Sequence, residues 1–212
     1  MDGPIVVFGA TSGIGARCIE EAASRGLKVR AFARGAGSIQ ATDLIDPVPG
    51  DALRPGDVAR ALEGARAVIY TLGMKTRPPA TSRVSVFSES TEVLLREMSR
   101  AGVSRLVAVT GFGAGRSADA MSLPERVAQR AVLGRAYADK GRQERLIMDS
   151  TVDWTIVRPV ILINGRNSRR VRVLKRPETW RNGLVARAEV AAYLVDAVER
   201  DLDIRSDVVI SR

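Results

Sequence analysis

The spacing of glycines near the start of the chain could bind a phosphate group. The segment GATSGIG begins at Gly9, follows an apolar stretch typical of a buried strand, and precedes a stretch with helical spacing of apolar residues. In a strand–turn–helix unit, Gly9 permits a tight turn, Gly13 lets a phosphate approach the backbone, and Gly15 lets the helix pack near the strand. The helix N-terminus offers unpaired N–H groups, and Thr11 and Ser12 add hydroxyl donors. The segment therefore predicts the pyrophosphate-binding loop of a dinucleotide site, and the alternative is an ordinary glycine-rich turn.

The end of the second predicted strand indicates which dinucleotide would bind. An NAD site usually carries Asp or Glu there, which holds the ribose 2′-hydroxyl. This chain reads KVRAFARGAGS, without an acidic residue and with Arg30 and Arg34. A guanidinium can bind a 2′-phosphate with two hydrogen bonds, whereas a carboxylate would repel it. Because Arg34 lies just past the strand end, we predict NADP(H), and the alternative is a solvated arginine.

Strand-length apolar runs alternate with helix-period segments along the chain. Strands are predicted at residues 4–8, 27–33, 43–48, 65–71, 103–109, 152–157 and 208–210. Helices are predicted at residues 13–25, 55–63, 84–100, 123–149 (in one piece or two) and 187–200. This alternation predicts an α/β fold with a Rossmann-like, doubly wound parallel sheet in a single domain over 1–212. The least periodic and most basic part, from 164 to 180, suggests a small substrate-side region around 160–186.

Composition excludes several classes of protein. The chain has no histidine, which excludes His-based catalytic triads and most zinc sites, so we expect no metal. No apolar run approaches the ~20 residues of a membrane span, and we expect no signal peptide before the first predicted strand. The net charge is +9, but aromatic residues are only 4 %, so nucleic-acid binding is not expected. The single cysteine, Cys18, is expected in the core and fits a cytoplasmic setting.

Several motifs together resemble one protein superfamily. GATSGIG is similar to the glycine motif of the short-chain dehydrogenases/reductases. Five further segments resemble the atypical, NAD(P)H-binding branch of that superfamily, which includes flavin/biliverdin-type reductases and NmrA-like proteins. In chain order they are PGD (49–51), YTLG (70–73), AGVSRLVAVTGFGAG (101–115), KGRQERLIMDSTVDWTIVRP (140–159) and ARAEVAAYLVDAVE (186–199).

The resemblance implies particular contacts with the cofactor. Asp51 and Ala52 would bracket the adenine ring, and the Thr71–Gly73 stretch would line the nicotinamide-side ribose. Thr110 and Lys140 are the expected catalytic residues beside the nicotinamide. With the glycine loop, the expected cofactor-binding residues are Gly9, Thr11, Ser12, Gly13, Ile14, Arg34, Asp51, Ala52, Thr71, Leu72, Gly73, Thr110, Lys140, Pro159, Val160 and Ile161.

The chain also departs from the pattern of this superfamily. Related dehydrogenases carry a tyrosine four residues before the lysine, but that position is Ala136. Tyr137 is one residue out of register, and because such a shift turns a helical side chain by about 100°, we expect it not to face the same substrate. Lys140 alone could bind ribose hydroxyls or stabilise a developing oxyanion; the alternative is an exposed helix lysine. Glu144 is expected to pair locally with Lys140 or Arg145.

These observations predict an NADPH-dependent reductase that passes a hydride to a small-molecule acceptor such as a flavin, a quinone or a tetrapyrrole. The alternative is a non-catalytic NADP(H)-binding redox sensor of the NmrA-like type. A nucleotide-sugar epimerase or dehydratase fits less well, because little chain follows the sixth strand and the tyrosine is absent. The basic cluster between Arg166 and Arg176 is either a solvated face or a surface that attracts an anionic acceptor. The oligomeric state stays open, with a homo-oligomer as one outcome, and both tryptophans, Trp154 and Trp180, are expected to pack in the interior.

Overall fold

The computed structural model describes residues 3–73, 84–168 and 171–212. The strands are β1 (Ile5–Phe8), β2 (Val29–Ala33), β3 (Ile45–Pro49), β4 (Ala67–Tyr70), β5 (Arg105–Val109), β6 (Asp153–Pro159), β7 (Ile161–Ile163), β8 (Arg172–Leu174), β9 (Leu184–Ala186) and β10 (Ser206–Ser211). The helices are α1 (Gly13–Ser24), α2 (Pro55–Leu62), α3 (Val86–Ala101), α4 (Leu123–Met148) and α5 (Arg187–Glu199).

Within these residues, eight strands form one sheet in the order β3-β2-β1-β4-β5-β6-β10-β8. All neighbouring pairs are parallel except β10 and β8, which are antiparallel. The chain moves outward from β1 through β2 to β3, then returns to the other side of β1 with β4. The strand order therefore reverses between β1 and β4, and ligands of such sheets bind at the carboxyl ends of the two strands on either side of this point. The predicted doubly wound, Rossmann-like α/β fold is confirmed.

Helices cover both faces of the sheet. One apolar cluster joins the sheet to α1 and α5 and contains Cys18, as expected, together with Val190 and Leu194. A second cluster on the opposite face joins the sheet to α2, α3 and α4. Because both faces are covered, all four residues of β1 are fully buried, which explains why its sequence is uninterrupted apolar rather than alternating. Pro47 is tolerated in β3 because β3 is an edge strand.

The predicted elements agree with the structure to within two residues at each end. The long segment after β5 is one continuous helix, α4, which settles the question of one piece or two. Three short strands of three residues each, β7, β8 and β9, were not predicted, and β7 pairs with β9 in a small parallel sheet of its own. Of the predicted basic cluster, Arg169 and Arg170 lie outside the described residues. No helix among the described residues is long and apolar enough to cross a bilayer.

Candidate functional site

Two glycines of the glycine loop are required by the close approach of β1, α1 and the end of β4. Gly9 has φ +81°, and a Cβ there would lie 2.8 Å from the carbonyl oxygen of Thr71. A Cβ on Gly15 would overlap the carbonyl oxygen of Gly9 and lie 2.6 Å from Thr71 Oγ1. The loop therefore has no room for side chains on the side that faces the protein.

The surroundings of Gly13 are open, unlike those of Gly9 and Gly15. Its φ is +62°, and a Cβ there would meet nothing within 4 Å, so the space in front of the α1 N-terminus is open. Ser12 is the N-cap residue, has extended backbone, and makes no side-chain hydrogen bond to the helix. The first N–H groups of α1 thus point toward open space without a side-chain cap. This arrangement fits a pyrophosphate, which helix N-termini bind through main-chain N–H groups.

The two arginines predicted near the second strand have different surroundings. Arg34 is exposed directly after β2, and no carboxylate of the described residues pairs with it. Its neighbour Gly35 lies against the glycine loop, where a Cβ would be 3.6 Å from Thr11 Cγ2. Arg30 instead pairs with Asp46 at 2.9 Å and donates to two main-chain carbonyls at the end of α2. Arg34, and not Arg30, is therefore free to contact a ligand next to the glycine loop.

The loop after β3 presents the residues expected at the adenine. Asp51 Oδ1 accepts a hydrogen bond from the Leu53 N–H at 3.0 Å, and the Asp51 N–H donates to Asp57 Oδ2 at 3.0 Å. Ala52 is buried in the same apolar cluster as Phe32 of β2. These contacts fix the loop at the carboxyl edge of the sheet, on the same side of β1 as Arg34.

The end of β4 is attached to the end of β1. The Thr71 hydroxyl donates to the Phe8 carbonyl at 2.7 Å, and the Thr71 N–H donates to the same oxygen at 3.0 Å. Leu72 is partly buried against the apolar cluster, whereas Gly73 is exposed. The predicted ribose-lining stretch therefore begins at the strand-order reversal, directly beside the glycine loop.

Lys140 and Thr110 contact each other at the end of β5. Thr110 is buried, and its carbonyl oxygen accepts a hydrogen bond from Lys140 Nζ at 2.5 Å. The same amine lies 4.9 Å from the ring centroid of Phe87 at the start of α3. Burial of the amine lowers the pKa of Lys140 to about 8, against a smaller opposing effect of the Glu144 charge. Lys140 is therefore half-buried at the strand end and is not an ordinary exposed helix lysine.

The Tyr137 ring lies against the residue that follows Thr110. A Cβ on Gly111 would be 2.7 Å from the Tyr137 hydroxyl oxygen, and burial raises the pKa of Tyr137. Residues three apart on a helix are neighbours on one face, so Tyr137 and Lys140 approach the end of β5 together. Ala136, at the position where related dehydrogenases carry tyrosine, has no hydroxyl to offer. Despite its one-residue shift from the position of Ala136, the Tyr137 ring still lies at this edge of the sheet. It stays a prediction that Tyr137 does not act on the same substrate.

A buried ion pair that was not predicted lies behind Thr110. Glu144 was expected to pair with Lys140 or Arg145, and this expectation is wrong: its carboxylate binds Arg158 of β6, with Nε at 2.9 Å and Nη2 at 2.8 Å. The Thr110 hydroxyl also donates to Glu144, at 2.6 Å. A signal was present in the sequence, since Arg158 interrupts an apolar strand and a buried arginine needs a charged partner.

Arg158 also connects this ion pair to Asp207 of β10 and to Trp180 in the segment before β9. Arg158 Nη1 donates to Asp207 Oδ2 at 2.5 Å, and Asp207 also accepts hydrogen bonds from Arg116. Burial raises the pKa of Asp207, but hydrogen bonds and charges from the two arginines outweigh it and hold that pKa below its usual value. The Trp180 ring is buried, and its centroid lies 5.1 Å from the Arg116 guanidinium and 5.0 Å from the Arg158 guanidinium. The expectation that Trp180 packs in the interior is confirmed, as it is for Trp154.

The remaining predicted residues lie where β6 passes into β7. The Pro159 carbonyl accepts the Phe112 N–H at 3.1 Å, which attaches this turn to the loop after β5. Val160 is buried, whereas Ile161 is 56 % exposed and is paired in register with Leu184, which is 50 % exposed. The small β7–β9 sheet therefore presents an apolar surface beside the ends of β5 and β6.

A family model described as NAD(P)H-binding matches residues 9–201, which is most of the chain. The chain belongs to this NAD(P)H-binding family. The match begins at the glycine loop and ends just after α5, so it includes every predicted site residue. The predicted membership of an NAD(P)H-binding family is thereby confirmed.

Solved structures share the fold of this NAD(P)H-binding protein over its whole length. ChuY, an anaerobillin reductase from Escherichia coli O157:H7, is 26 % identical, with a TM-score of 0.83 over 98 % of this chain and 96 % of that chain. A wide-type short-chain dehydrogenase/reductase from Veillonella parvula DSM 2008, in complex with NADP, has a TM-score of 0.84 over 100 % and 95 % of the two chains. At 15 % identity, the second likeness concerns the fold alone.

A curated relative matches part of the chain. Sterol demethylase protein B from Methylococcus capsulatus (strain ATCC 33009 / NCIMB 11132 / Bath) is 32 % identical over 114 residues, or 51 % of this chain. The aligned part is 34 % of that relative, so the chain spans about a third of its length.

The predicted site residues thus lie along one edge of the sheet of this NAD(P)H-binding protein. Three of them are turned inward: the side chains of Ile14, Ala52 and Val160 are in the apolar core, which leaves only their backbone atoms for a ligand. The others follow the carboxyl ends of β1, β2, β3, β4, β5 and β6, except Lys140, which reaches the end of β5 from α4. A nicotinamide cofactor is therefore compatible with the site from the glycine loop to Lys140.

Proposed function

We propose that the protein is an NADPH-dependent oxidoreductase that transfers a hydride to a small acceptor such as a flavin, a quinone or a tetrapyrrole. One observation carries the proposal. The open space before Gly13 lies at the reversal of strand order, and a desolvated amine, Lys140, is held at the end of β5 two strands from β1. A phosphate site and a partly buried amine along one sheet edge suit a pyridine dinucleotide with its nicotinamide directed toward Lys140.

The choice of NADPH over NADH rests on the end of β2. Arg34 is exposed there beside the glycine loop, and the segment from Lys28 to Ser38 contains no carboxylate to bind a 2′-hydroxyl. A guanidinium pairs with a phosphate through charge-assisted hydrogen bonds. Arg34 is therefore the residue that we propose to bind the 2′-phosphate, with Asp51 and Ala52 beside the adenine.

The residues of the chain would bind and orient the cofactor and the acceptor, and the nicotinamide would supply the hydride when bound. At neutral pH Lys140 is largely protonated, because its pKa of about 8 lies above 7. Its charge would hold ribose hydroxyls and stabilise negative charge that develops on the acceptor. The acceptor's proton would come from Lys140 or from solvent, and Thr110 would hold the amine through its carbonyl.

The acceptor site would lie against the β7–β9 sheet, within the substrate-side region of residues 160–186. The exposed side chains of Ile161 and Leu184 offer apolar surface to a flat acceptor. The net charge of +9 favours an acceptor with anionic groups. The likeness to ChuY, an anaerobillin reductase, supports a tetrapyrrole as one such acceptor. We further propose that residues 1–212 act as one NAD(P)-binding domain in the cytoplasm, where the buried thiol of Cys18 would stay reduced.

Steady-state oxidation of NADPH in the presence of FMN, a soluble quinone or biliverdin tests the proposal. We expect turnover with at least one of them, and we expect Lys140→Met to reduce kcat by about tenfold or more, because one oriented electrostatic contact contributes at least that much. Lys28→Met, in the turn before β2, is the matched control and should leave turnover unchanged. Tight NADPH binding without turnover of any acceptor would contradict a reductase.

Ala136 favours a second candidate, a redox sensor that binds NADP(H) and signals to a protein partner. Without a tyrosine four residues before Lys140, the site lacks the side chain that related dehydrogenases use. For a sensor, capture of a partner from lysate should change between saturating NADPH and saturating NADP⁺. Capture that is the same with both forms would eliminate the sensor.

A further inference from the structure

Buried charged side chains connect the Lys140 end of β5 to the segment before β9. Glu144 and Arg158 are 1 % and 0 % exposed, and Asp207 is 4 % exposed. Well-packed apolar residues in place of a buried ion pair often leave stability unchanged or increase it, so stability alone does not account for these charges. Their position next to Thr110 suggests a role at the site.

Helix α4 holds Thr110 at two points that are one helical turn apart. Lys140 Nζ donates to the Thr110 carbonyl at 2.5 Å, and the Thr110 hydroxyl donates to Glu144 Oε1 at 2.6 Å. The two α4 side chains are four residues apart and therefore share a face of the helix. Gly115 has φ +49°, and a Cβ there would overlap Glu144 Oε2, so the loop after β5 can cover the carboxylate only with glycine at this position.

Arg158 forms an ion pair with the Glu144 carboxylate and neutralises its charge. Its Nε and Nη2 bind the two Glu144 oxygens at 2.9 and 2.8 Å, in the two-pronged geometry that Arg–carboxylate pairs prefer. The remaining nitrogen, Nη1, donates to Asp207 at 2.5 Å. No direct hydrogen bond joins Glu144 to Lys140 in the described part of the chain, although only one helical turn separates them.

We propose that Glu144 and Arg158 are positioning residues for the Lys140 amine. Glu144 fixes Thr110, whose carbonyl holds the amine, and Arg158 binds the carboxylate so that the amine is not drawn into an ion pair with it. The amine then stays available to a bound ligand at the end of β5. This inference rests on the proposed function, in which the Lys140 amine contacts the cofactor or the acceptor.

Other groups near the amine are engaged elsewhere. Asp139 accepts hydrogen bonds from the N–H groups at the start of α3 and pairs with Arg142 at 3.0 Å. Phe87 of α3 faces the amine with an uncharged ring. Among the described residues, the titratable or charged groups on the elements packed around the amine include Glu144, Asp139, Tyr137 and Arg142 on α4, Arg158 on β6 and Asp207 on β10. Of these, Glu144 is the group whose charge raises the Lys140 pKa against the effect of burial.

Titration of the amine by NMR tests the inference on the free protein. The chain contains four lysines, Lys28, Lys75, Lys140 and Lys175. With ¹³Cε-labelled lysine, Lys140→Met identifies the Lys140 signal, which should titrate with a midpoint of about 8. Glu144→Gln keeps an oxygen for the Thr110 hydroxyl but removes the charge, so the midpoint should fall by about 1 pH unit, the low end of the effect of a neighbouring charge.

Arg158→Gln should move the midpoint in the opposite direction, because the Glu144 charge is then free to act on the amine. In the double variant E144Q/R158Q the upward shift should disappear, since no carboxylate remains at 144. Glu97→Gln is the matched control: Glu97 is a buried carboxylate paired with Arg100 at 2.8 Å on α3, and its loss should leave the Lys140 midpoint unchanged.

Shifts of the same sign in E144Q and R158Q, or no shift in E144Q, would overturn the inference. If R158Q does not fold, as judged by circular dichroism, the comparison of wild type with E144Q decides alone. Absence of NADPH turnover in the wild type would contradict the proposed function but would leave these midpoints unaffected, so the two failures are distinguishable.

Discussion

Replacing Gly13 by alanine should separate cofactor binding from folding. The structure leaves open space for the added methyl group, since a Cβ at Gly13 meets nothing within 4 Å. The cost to the fold is then the strain of an L-residue at φ +62°, about 1–2 kcal/mol. For a chain of this size that corresponds to a fall in Tm of roughly 2–8 °C.

The same methyl group would stand where the pyrophosphate is expected to approach the α1 N-terminus. Loss of one hydrogen bond to a charged group costs about 1.5–3 kcal/mol. NADPH affinity of Gly13→Ala should therefore fall by roughly 10- to 150-fold, since about 1.4 kcal/mol corresponds to a factor of ten. The assay is the fluorescence of NADPH as protein is added, with thermal unfolding followed on the same samples.

Gly64→Ala is the matched control for this prediction. Gly64 has nearly the same backbone, with φ +64°, and a Cβ there also meets nothing within 4 Å, but it lies between α2 and β4 at the opposite edge of the sheet. It should lose a similar amount of Tm while its NADPH affinity stays at the wild-type value. If Gly13→Ala binds NADPH as well as Gly64→Ala does, the glycine loop does not bind the pyrophosphate, and the reasoning is refuted.

Three further predictions concern single residues. Arg34→Ala should weaken NADPH binding by roughly tenfold or more and leave NADH binding nearly unchanged. The control Arg100→Ala, at the opposite sheet edge, should change the affinity for neither dinucleotide. Equal losses for both dinucleotides in Arg34→Ala would show that Arg34 does not bind the 2′-phosphate. Cys18 is buried, which raises the pKa of its thiol, so a thiol reagent should label it only on unfolding, and rapid labelling of the native protein would contradict this burial. The folded-state pKa of Asp207 is lowered, so its contribution to stability is present above about pH 4 and is lost as the pH falls further. The unfolding free energy of Asp207→Asn should therefore depend less on pH in acid than that of the wild type. An unchanged pH dependence would count against the contact of Asp207 with the two arginines.

The sequence predicted the main sheet well because its strands and helices differ in period and are separated by clear turn residues. β1 and α1 illustrate this, since a wholly apolar run is followed by a glycine loop and then by apolar residues at helical spacing. β7, β8 and β9 were missed because each has only three residues, too few for a period to show. Their pairing is set by tertiary contacts with β10 and with one another rather than by local pattern.

The sequence predicted only part of the site, because contacts between distant elements leave no local pattern. Loops that follow β1, β2 and β4 could be placed at one edge from the strand order expected of the fold. The partner of Glu144 could not, because the pair with Arg158 joins residues 14 positions apart on different elements, and helical spacing favours the local alternative. Helical register predicts the direction in which Tyr137 leaves α4, but the length of its side chain also lets the hydroxyl reach Gly111.

Isothermal titration calorimetry of the purified protein with NADPH, followed by NADH, measures whether the glycine loop and Arg34 bind the dinucleotide. We expect saturable binding of NADPH and binding of NADH that is weaker by about tenfold or more, the value of one lost phosphate contact. Absence of heat with either dinucleotide, at millimolar ligand and low salt, would contradict it.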